Sequence, residues 1–202
     1  MNVLLLNASP KSNGATQEIL NILQSQLPRG VTSELICLGE LCIHYCVGDK
    51  ACYRTCDCIL QDDMTALLDK MNAADAQVIA APSYWGDVPA PFKAFIDRCT
   101  AYANTNPNPA HKRLTGPRRC YAIALRAGTH TAECEHIIAA IAHWCGHMEI
   151  PIADSMYFCS IDSKADLEKV RERIMQKAAE WFGRAAQPNS CAVGPFHGKD
   201  AQ

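Results

Sequence analysis

The stretch that decides the fold is Asn7-Ala8-Ser9-Pro10-Lys11-Ser12-Asn13-Gly14-Ala15-Thr16. The apolar run Val3-Leu4-Leu5-Leu6 predicts a strand before it, and a helical pattern begins at Gln17. The unpaired N–H groups of a first helical turn, together with the helix dipole, favour an anion at such a junction. We therefore expect this turn to bind a phosphate dianion, although an ordinary capped strand-to-helix turn would have a similar composition.

The turn matches neither of the two common nucleotide-binding loops. It lacks the Gly-x-x-x-x-Gly-Lys-Ser/Thr pattern of nucleoside triphosphate sites. It also lacks the Gly-x-Gly-x-x-Gly pattern that binds the pyrophosphate of a dinucleotide. What remains is a set of short donors and one cation: Ser9, Lys11, Ser12, Asn13 and Thr16.

The composition is that of an ordinary globular domain. Of the 202 residues, 49% are hydrophobic and 20% are charged. The net charge of -2 does not suggest a nucleic acid or another polyanion as a partner. The N-terminus has no basic flank and no apolar run approaches a membrane span, so we expect a cytoplasmic protein without a signal peptide.

Strand and helix patterns alternate along the chain, which predicts an open parallel sheet with helices on both faces. The predicted strands are 2–7, 31–38, 77–81, 120–125 and 149–158. Five helices are predicted. The first covers 16–27, the second is capped by Asp62-Asp63 and ends near 74, and the third starts at Pro91. The fourth covers 131–145 and is closed by Gly146, and the fifth starts after Asp162-Ser163. We predict one domain over 1–184, with a cysteine-rich insertion at 39–61 and a tail at 185–202.

Three polar loops follow strands of this predicted sheet. They are 8–16, 82–88 and 126–129. Right-handed crossovers place the carboxyl ends of parallel strands at one edge, where ligands of such sheets bind. The loops are therefore expected to form a single site.

Several of these segments resemble the NADPH-dependent FMN reductase family, whose fold is flavodoxin-like with strand order 2-1-3-4-5. The first turn resembles the family's Gly-Ser-Pro-Arg-x-x-Gly-Asn-Thr loop. Ala81-Pro82-Ser83-Tyr84-Trp85-Gly86 resembles its Ser-Pro-x-Tyr-x-Gly/Ser loop, and Phe92-Lys93-Ala94-Phe95-Ile96-Asp97-Arg98 resembles its Leu-Lys-x-Phe-Ile-Asp-Arg helix. The combination is much more specific than any one loop.

The resemblance implies non-covalent FMN and an oligomer, at least a dimer. Its phosphate would be held by Ser9, Lys11, Asn13, Ala15 and Thr16. Its isoalloxazine ring would be lined by Pro82, Ser83, Tyr84, Trp85 and Gly86, and contacted by Arg126, Gly128 and Thr129. Ala15 stands where the family usually has Asn, which removes one side-chain donor. Tyr84 and Trp85 offer aromatic faces for the ring, and packing in the core or at an interface is the alternative for both.

The cysteine-rich segment resembles the compact motif of iron–sulfur flavoproteins, a branch of the same family. Cys46, Cys52 and Cys58 match three positions of that motif, and Asp49 stands where its second cysteine belongs. A [4Fe-4S] cluster usually needs four thiolates, so Asp49, Cys56 or Cys42 would have to complete the set. A zinc site, a disulfide switch and a loop without metal remain alternatives. Six other cysteines fall on strand or helix patterns and are predicted to pack in the core: Cys37, Cys99, Cys120, Cys134, Cys145 and Cys159.

The resemblance implies an FMN-dependent oxidoreductase in which the flavin carries the chemistry and no catalytic acid or base is required. A nicotinamide, NADH or NADPH, is the expected electron donor without a cluster, and a ferredoxin-type protein is the expected donor with one. The alternatives are a flavin-only reductase of quinones, azo compounds or free flavin, and a non-catalytic electron carrier or redox sensor.

Overall fold

Five parallel strands form one sheet at the centre of the molecule. The computed structural model describes residues 1–183; the predicted tail and Cys191 lie outside the described residues. The strands are β1 Asn2–Asn7, β2 Thr32–Cys37, β3 Ala76–Pro82, β4 Cys120–Leu125 and β5 Ile152–Phe158. Their order in the sheet is β2-β1-β3-β4-β5. This confirms the predicted flavodoxin-like sheet and its strand order.

The inner strands explain why the sequence reads as apolar runs. Every residue of β3 and β4 is buried, because helices cover both faces of the sheet. The edge strands β2 and β5 mix buried and exposed positions. The parallel register places Asn7, the last residue of β1, between Cys37 of β2 and Ala80 of β3.

Residues 1–183 form six α-helices. They are α1 Ala15–Ser25, α2 Cys52–Thr55, α3 Met64–Ala73, α4 Ala90–Arg98, α5 Ala132–His147 and α6 Arg171–Phe182. Five of them pack on the two faces of the sheet, and one, α2, lies in the cysteine-rich segment. Helices α1 and α6 bury apolar residues on one face, and α3, α4 and α5 bury theirs on the other. No helix within residues 1–183 has both the length and the apolar character needed to cross a membrane.

Several boundaries shift by one or two residues from the prediction, and two of the differences have a clear cause. Helix α5 continues through Gly146 to His147, because burial of Trp144 and Cys145 outweighs the roughly 1 kcal/mol that a glycine costs in a helix. The chain then reverses at Glu149, whose φ is 58°, so that β5 begins at Ile152 rather than at 149.

The last predicted helix is divided. Ser163 and Asp166 form a reciprocal capping box, as expected for a helix start at this point. The first turns, Lys164–Val170, have 3₁₀ geometry, and the α-helical part α6 begins only at Arg171.

A polar contact fixes α6 against the sheet. The Asp154 carboxylate on β5 accepts hydrogen bonds from Trp181 Nε1 at 2.8 Å and from Lys177 Nζ at 2.9 Å. The Trp181 ring stacks on Tyr121 of β4, with 4.6 Å between the ring centroids. Burial alone would raise the pKa of Asp154, but the bonds from Trp181 and Lys177 hold that pKa below its ordinary value.

We expect Asp154→Asn to lower the melting temperature at pH 7 by about 2–4 °C, the effect of about 1 kcal/mol in a domain of this size. A carboxyl whose folded pKa is depressed stabilises the protein above its unfolded pKa and loses that contribution as the pH falls through its folded pKa. The difference between the two proteins should therefore shrink below pH 4. Thermal unfolding from pH 3 to pH 7 measures it, and a difference that stays constant over this range would contradict the assignment.

Candidate functional site

Asn7 shapes the turn at the end of β1. Its side chain is fully buried, and its Oδ1 accepts the Ser9 N–H at 2.9 Å. Its Nδ2 donates to the Lys11 carbonyl oxygen at 3.0 Å and to Gln17 Oε1 at 2.8 Å. One amide thus ties both ends of the turn to the start of α1. Asn7 was not among the predicted site residues, although an Asn directly after a buried strand is a recognisable turn signal.

The turn leaves the start of α1 open to a ligand. Gly14 is the N-cap residue, and no side chain caps the free N–H groups of the first helical turn. Of the predicted phosphate ligands, Ser9 and Thr16 are each 3% exposed, whereas Lys11 and Asn13 are exposed and Ala15 is half-buried. Buried hydroxyls, free backbone donors and a flexible cation together suit a phosphate group.

The loop after β3 is a tight reversal. Tyr84 and Asp87 exchange backbone hydrogen bonds of 2.9 and 3.1 Å, and the two residues between them, Trp85 and Gly86, have φ of 56° and 78°. Two successive left-handed residues are typical of a type I′ turn, where a tryptophan is strained. The turn holds the Trp85 ring completely in solvent, and Tyr84 is 41% exposed. Pro82, by contrast, is buried, and Ser83 is half-buried.

A carboxylate joins the second and third loops. Glu133, in the first turn of α5, accepts a hydrogen bond from Ser83 Oγ at 2.7 Å and pairs with Arg126 Nη2 at 3.0 Å. Arg126 Nη1 also donates to the His130 carbonyl oxygen at 2.8 Å. The backbone adds a further link, since Ser83 N–H donates to the Leu125 oxygen at 2.7 Å. Glu133 was not among the predicted site residues. The only feature of the sequence that could have indicated it is its position in the first helical turn after a predicted ligand loop.

Arg126 lies folded over its own loop. A Cβ at Gly128 would stand 2.3 Å from Arg126 Nη2, so a side chain at this position would displace the guanidinium. Arg126 Nε is buried and has no hydrogen-bond partner among residues 1–183. A buried donor without a partner is costly, and a ligand oxygen or ring nitrogen at this edge would satisfy it. Thr129 is exposed beside it.

The cysteine-rich segment leaves the sheet against the phosphate turn. A Cβ at Gly39 would stand 2.6 Å from the Cα and carbonyl oxygen of Pro10, so only a glycine permits this approach. The Cys37 thiol reaches the same turn and donates to the Ser9 carbonyl oxygen at 3.5 Å. The segment that carries the predicted metal ligands therefore starts beside the phosphate turn.

Three thiols and the Asp49 carboxylate line a cavity in this segment, and Asp97 of α4 lines it as well. The cavity has a volume of about 210 Å³, and its lining includes Cys46, Cys52, Cys58, Asp49 and Arg98. Burial raises the pKa of Cys52, and the nearby Cys58 and Cys46 raise it further. This donor set is the one that a cluster of irons would draw on, because proximity of thiolates is unfavourable until cations bind them.

The two other candidate ligands point elsewhere. Neither Cys56 nor Cys42 lines the cavity. Cys56 ends helix α2 in a left-handed conformation with φ of 63°. Cys42 is exposed, and its N–H donates to Asp63 Oδ2 at 2.7 Å. This use of Asp63 also corrects the predicted helix cap: Asp63 occupies the N-cap position of α3 but does not cap it, and Asp62 Oδ1 accepts the Met64 N–H instead.

The long loop before β4 covers the segment. The buried Asn106 side chain donates to the Cys52 carbonyl oxygen at 3.4 Å, and Asn108 donates to the Arg54 carbonyl oxygen at 3.2 Å. Lys112 pairs with Asp57. Nothing in the sequence of this loop indicates which element it would contact.

The remaining cysteines mostly behave as predicted. Cys37, Cys99, Cys120, Cys134 and Cys145 are buried, while Cys159 is half-buried. Burial raises the pKa of Cys99 to about 12. Within residues 1–183 all cysteines are free thiols, and no three His, Cys, Asp or Glu side chains are arranged to hold a single metal ion.

A doubly wound sheet with three ligand loops at one edge defines a flavodoxin-like protein. The NADPH-dependent FMN reductase family matches residues 1–151, and the chain belongs to this family. The predicted family is therefore confirmed.

The relatives belong to the predicted branch. An iron-sulfur flavoprotein of Methanosarcina thermophila is 28% identical over 163 residues, which are 80% of this chain and 82% of that protein. Iron-sulfur flavoproteins of Clostridioides difficile and Archaeoglobus fulgidus are 32% and 36% identical over 102 and 99 residues. Each of these two matches covers 48% of this chain. The chain spans about half the length of these relatives, 45% of the Clostridioides difficile protein and 48% of the Archaeoglobus fulgidus protein.

Solved structures share the fold. An NAD(P)H:quinone oxidoreductase from Methanothermobacter marburgensis has a TM-score of 0.68 at 16% identity, covering 93% of this chain and 99% of that chain. An FMN-dependent NADH-azoreductase from Bacillus anthracis in complex with FMN has a TM-score of 0.66 at 15% identity, covering 90% and 99%. At such low identity these structures show the fold alone.

We expect Glu133→Gln to weaken FMN binding about tenfold, or about 1.4 kcal/mol, because it breaks the ion pair that links the second and third loops. Quenching of FMN fluorescence on titration with protein measures the dissociation constant. Glu135→Gln is the matched control, since Glu135 lies exposed in the same helical turn. Equal affinities of the two variants would show that Glu133 has no part in the site.

Proposed function

We propose that the protein passes electrons between a donor and an acceptor through non-covalent FMN and a [4Fe-4S] cluster. The observation that carries this proposal is the contact between Gly39 and Pro10, which attaches the thiol-lined cavity's segment to the phosphate turn. Two redox groups on one end of a sheet form a relay. Bound FMN would supply exchange of one or two electrons, which lets it connect a nicotinamide with a one-electron carrier.

The residues fit FMN at the sheet edge. Ser9, Thr16 and the first N–H groups of α1 would hold the phosphate, with Lys11 and Asn13 closing over it from solvent. Arg126 Nε, a buried donor, would face the ring or its ribityl chain. Glu133 holds Arg126 and Ser83 in place, so that neither loop needs to reorganise as the ring enters.

The residues also fit a cluster. Cys46, Cys52 and Cys58 would provide three ligands, and Asp49 the fourth, because it lines the cavity and Cys56 and Cys42 do not. Asp49 Oδ1 already accepts the Ala51 N–H at 2.7 Å, which leaves Oδ2 for an iron. A carboxylate is a harder ligand than a thiolate, so the iron at this corner would be the one most easily lost.

Trp85 supports a second copy of the chain as part of the site. A completely exposed tryptophan on a strained turn is unusual in a monomer. A partner subunit docked on this loop would cover the Trp85 ring and close the flavin site. We propose a homodimer, with a nicotinamide or a ferredoxin-type protein as the electron donor.

A flavin-only reductase of quinones or azo compounds is the second candidate. It is favoured by one observation: within the described part of the chain, the three thiols are not already drawn together around a point that an ion could occupy. Turnover of NADPH with a generic acceptor would support either reductase. A carrier or sensor would show no turnover with any nicotinamide.

We predict that protein purified without exposure to air contains both FMN and iron with sulfide. Cys58→Ala should lose the iron and its broad visible absorbance but keep FMN, because only the cavity changes. Cys42→Ala, the control, should keep both, since Cys42 lies outside the cavity. Wild-type protein that holds FMN and no iron would contradict the cluster and leave the flavin-only reductase.

We also predict that the fourth ligand controls how the cluster survives air. Asp49→Cys should slow the loss of iron about tenfold or more, because it replaces a carboxylate with a thiolate. Cys56→Ala should lose iron at the wild-type rate. Iron released to a chromogenic chelator over time measures both, and faster release from Cys56→Ala alone would transfer the role from Asp49 to Cys56.

A further inference from the structure

Arg98, the last residue of α4, is buried at the wall of the cysteine cavity. Its side chain is 1% exposed, as is that of Asp62, with which it forms a two-pronged ion pair. A charged pair taken this far out of water is costly and is stable only when its remaining polar atoms are also satisfied. The other contacts of Arg98 and Asp62 therefore indicate the role of the ion pair.

The pair closes the cysteine segment at both ends. Arg98 Nη1 donates to the His44 carbonyl oxygen at 3.0 Å, and Nη2 donates to the Leu60 carbonyl oxygen at 3.3 Å. Asp62 Oδ2 accepts the His44 N–H at 2.9 Å. The entry and the exit of the segment that carries Cys46, Cys52 and Cys58 are thus held by one guanidinium and one carboxylate.

One donor of the guanidinium remains free. Arg98 Nε is buried and has no hydrogen-bond partner among residues 1–183. Arg98 and Cys58 line the same cavity, whereas Asp62 does not. The ion pair is accordingly a dipole whose positive end faces the thiols.

We propose that Arg98 is the positioning residue of the iron–sulfur site: its Nε–H donates to the Cys58 sulfur, and its charge favours the reduced cluster. This inference rests on the proposed function. Hydrogen bonds to sulfur and nearby charge are two of the factors that set the reduction potential of a cluster. Inside a low-dielectric wall, a fixed cation acts on the added electron more strongly than a solvated one would.

The test is an anaerobic redox titration of the cluster, followed by its visible and electron paramagnetic resonance spectra, with iron counted in each protein. Arg98→Met removes the charge and the donor, and it should disfavour one-electron reduction at least tenfold, a shift of at least 59 mV to lower potential. Arg98→Lys keeps the charge and should stay nearer to the wild-type potential. Lys70→Met removes an exposed cation whose side chain and whose partner Glu34 do not line the cavity, and it should change nothing.

The sign of the shift separates this role from a purely structural one. A loosened segment would admit water, which stabilises the more charged reduced cluster and raises the potential. An unchanged or higher potential in Arg98→Met would therefore overturn the proposal. If that variant binds no cluster, Arg98→Gln decides: it removes the charge, while its amide can still donate to the carbonyl oxygens of His44 and Leu60 that Arg98 holds, and a potential at or above the wild-type value would overturn the proposal.

The same experiment distinguishes failure of the inference from failure of the proposed function. Wild-type protein without iron would overturn both. Wild-type protein with iron, together with an Arg98→Met potential that does not fall, would overturn only the role of Arg98.

Discussion

The site depends on the parallel register of three neighbouring strands. Because β1, β3 and β4 run in the same direction and end at the same edge, the loops that follow them meet there without any long excursion of the chain. The buried Asn7 amide then sets the path of the first loop, and Glu133 fixes the other two to each other. The sheet brings the loops to one edge, and the side chains of Asn7 and Glu133 fix their conformations.

The cysteine segment uses the same edge in another way. It has little core of its own, and its one helix is a single turn, α2. Its order comes from outside, from the Asp62–Arg98 pair at its two ends and from Asn106 and Asn108 in the loop that covers it. If the segment binds a cluster as proposed, these outside contacts reduce the ordering that has to accompany binding.

The parts that could be read from the sequence are those with local causes. Apolar runs predicted the strands, because parallel strands buried on both faces have an almost continuous apolar pattern. Their alternation with helices predicted the topology. The three ligand loops followed from strand ends. The cysteine spacing pointed to Cys46, Cys52 and Cys58, which one cavity brings together.

The parts that could not be read depend on distant contacts. Glu133 reaches Ser83, 50 positions earlier, and Arg98 reaches His44, 54 positions earlier. No local pattern reveals such a pairing. Gly146 was predicted to end α5, but the packing of its neighbours carries the helix past it. Asp63 was predicted to cap α3, but its carboxylate accepts the Cys42 N–H instead.

The central claim is that one end of the sheet holds a flavin phosphate in the first turn and irons in the adjoining cavity. A crystal structure of anaerobically prepared protein, with data collected at the iron absorption edge, tests it most directly. We expect an anomalous peak between Cys46, Cys52 and Cys58, and the phosphate of FMN at the start of α1. FMN bound away from that turn, or a cavity without an iron peak in protein never exposed to air, would contradict it.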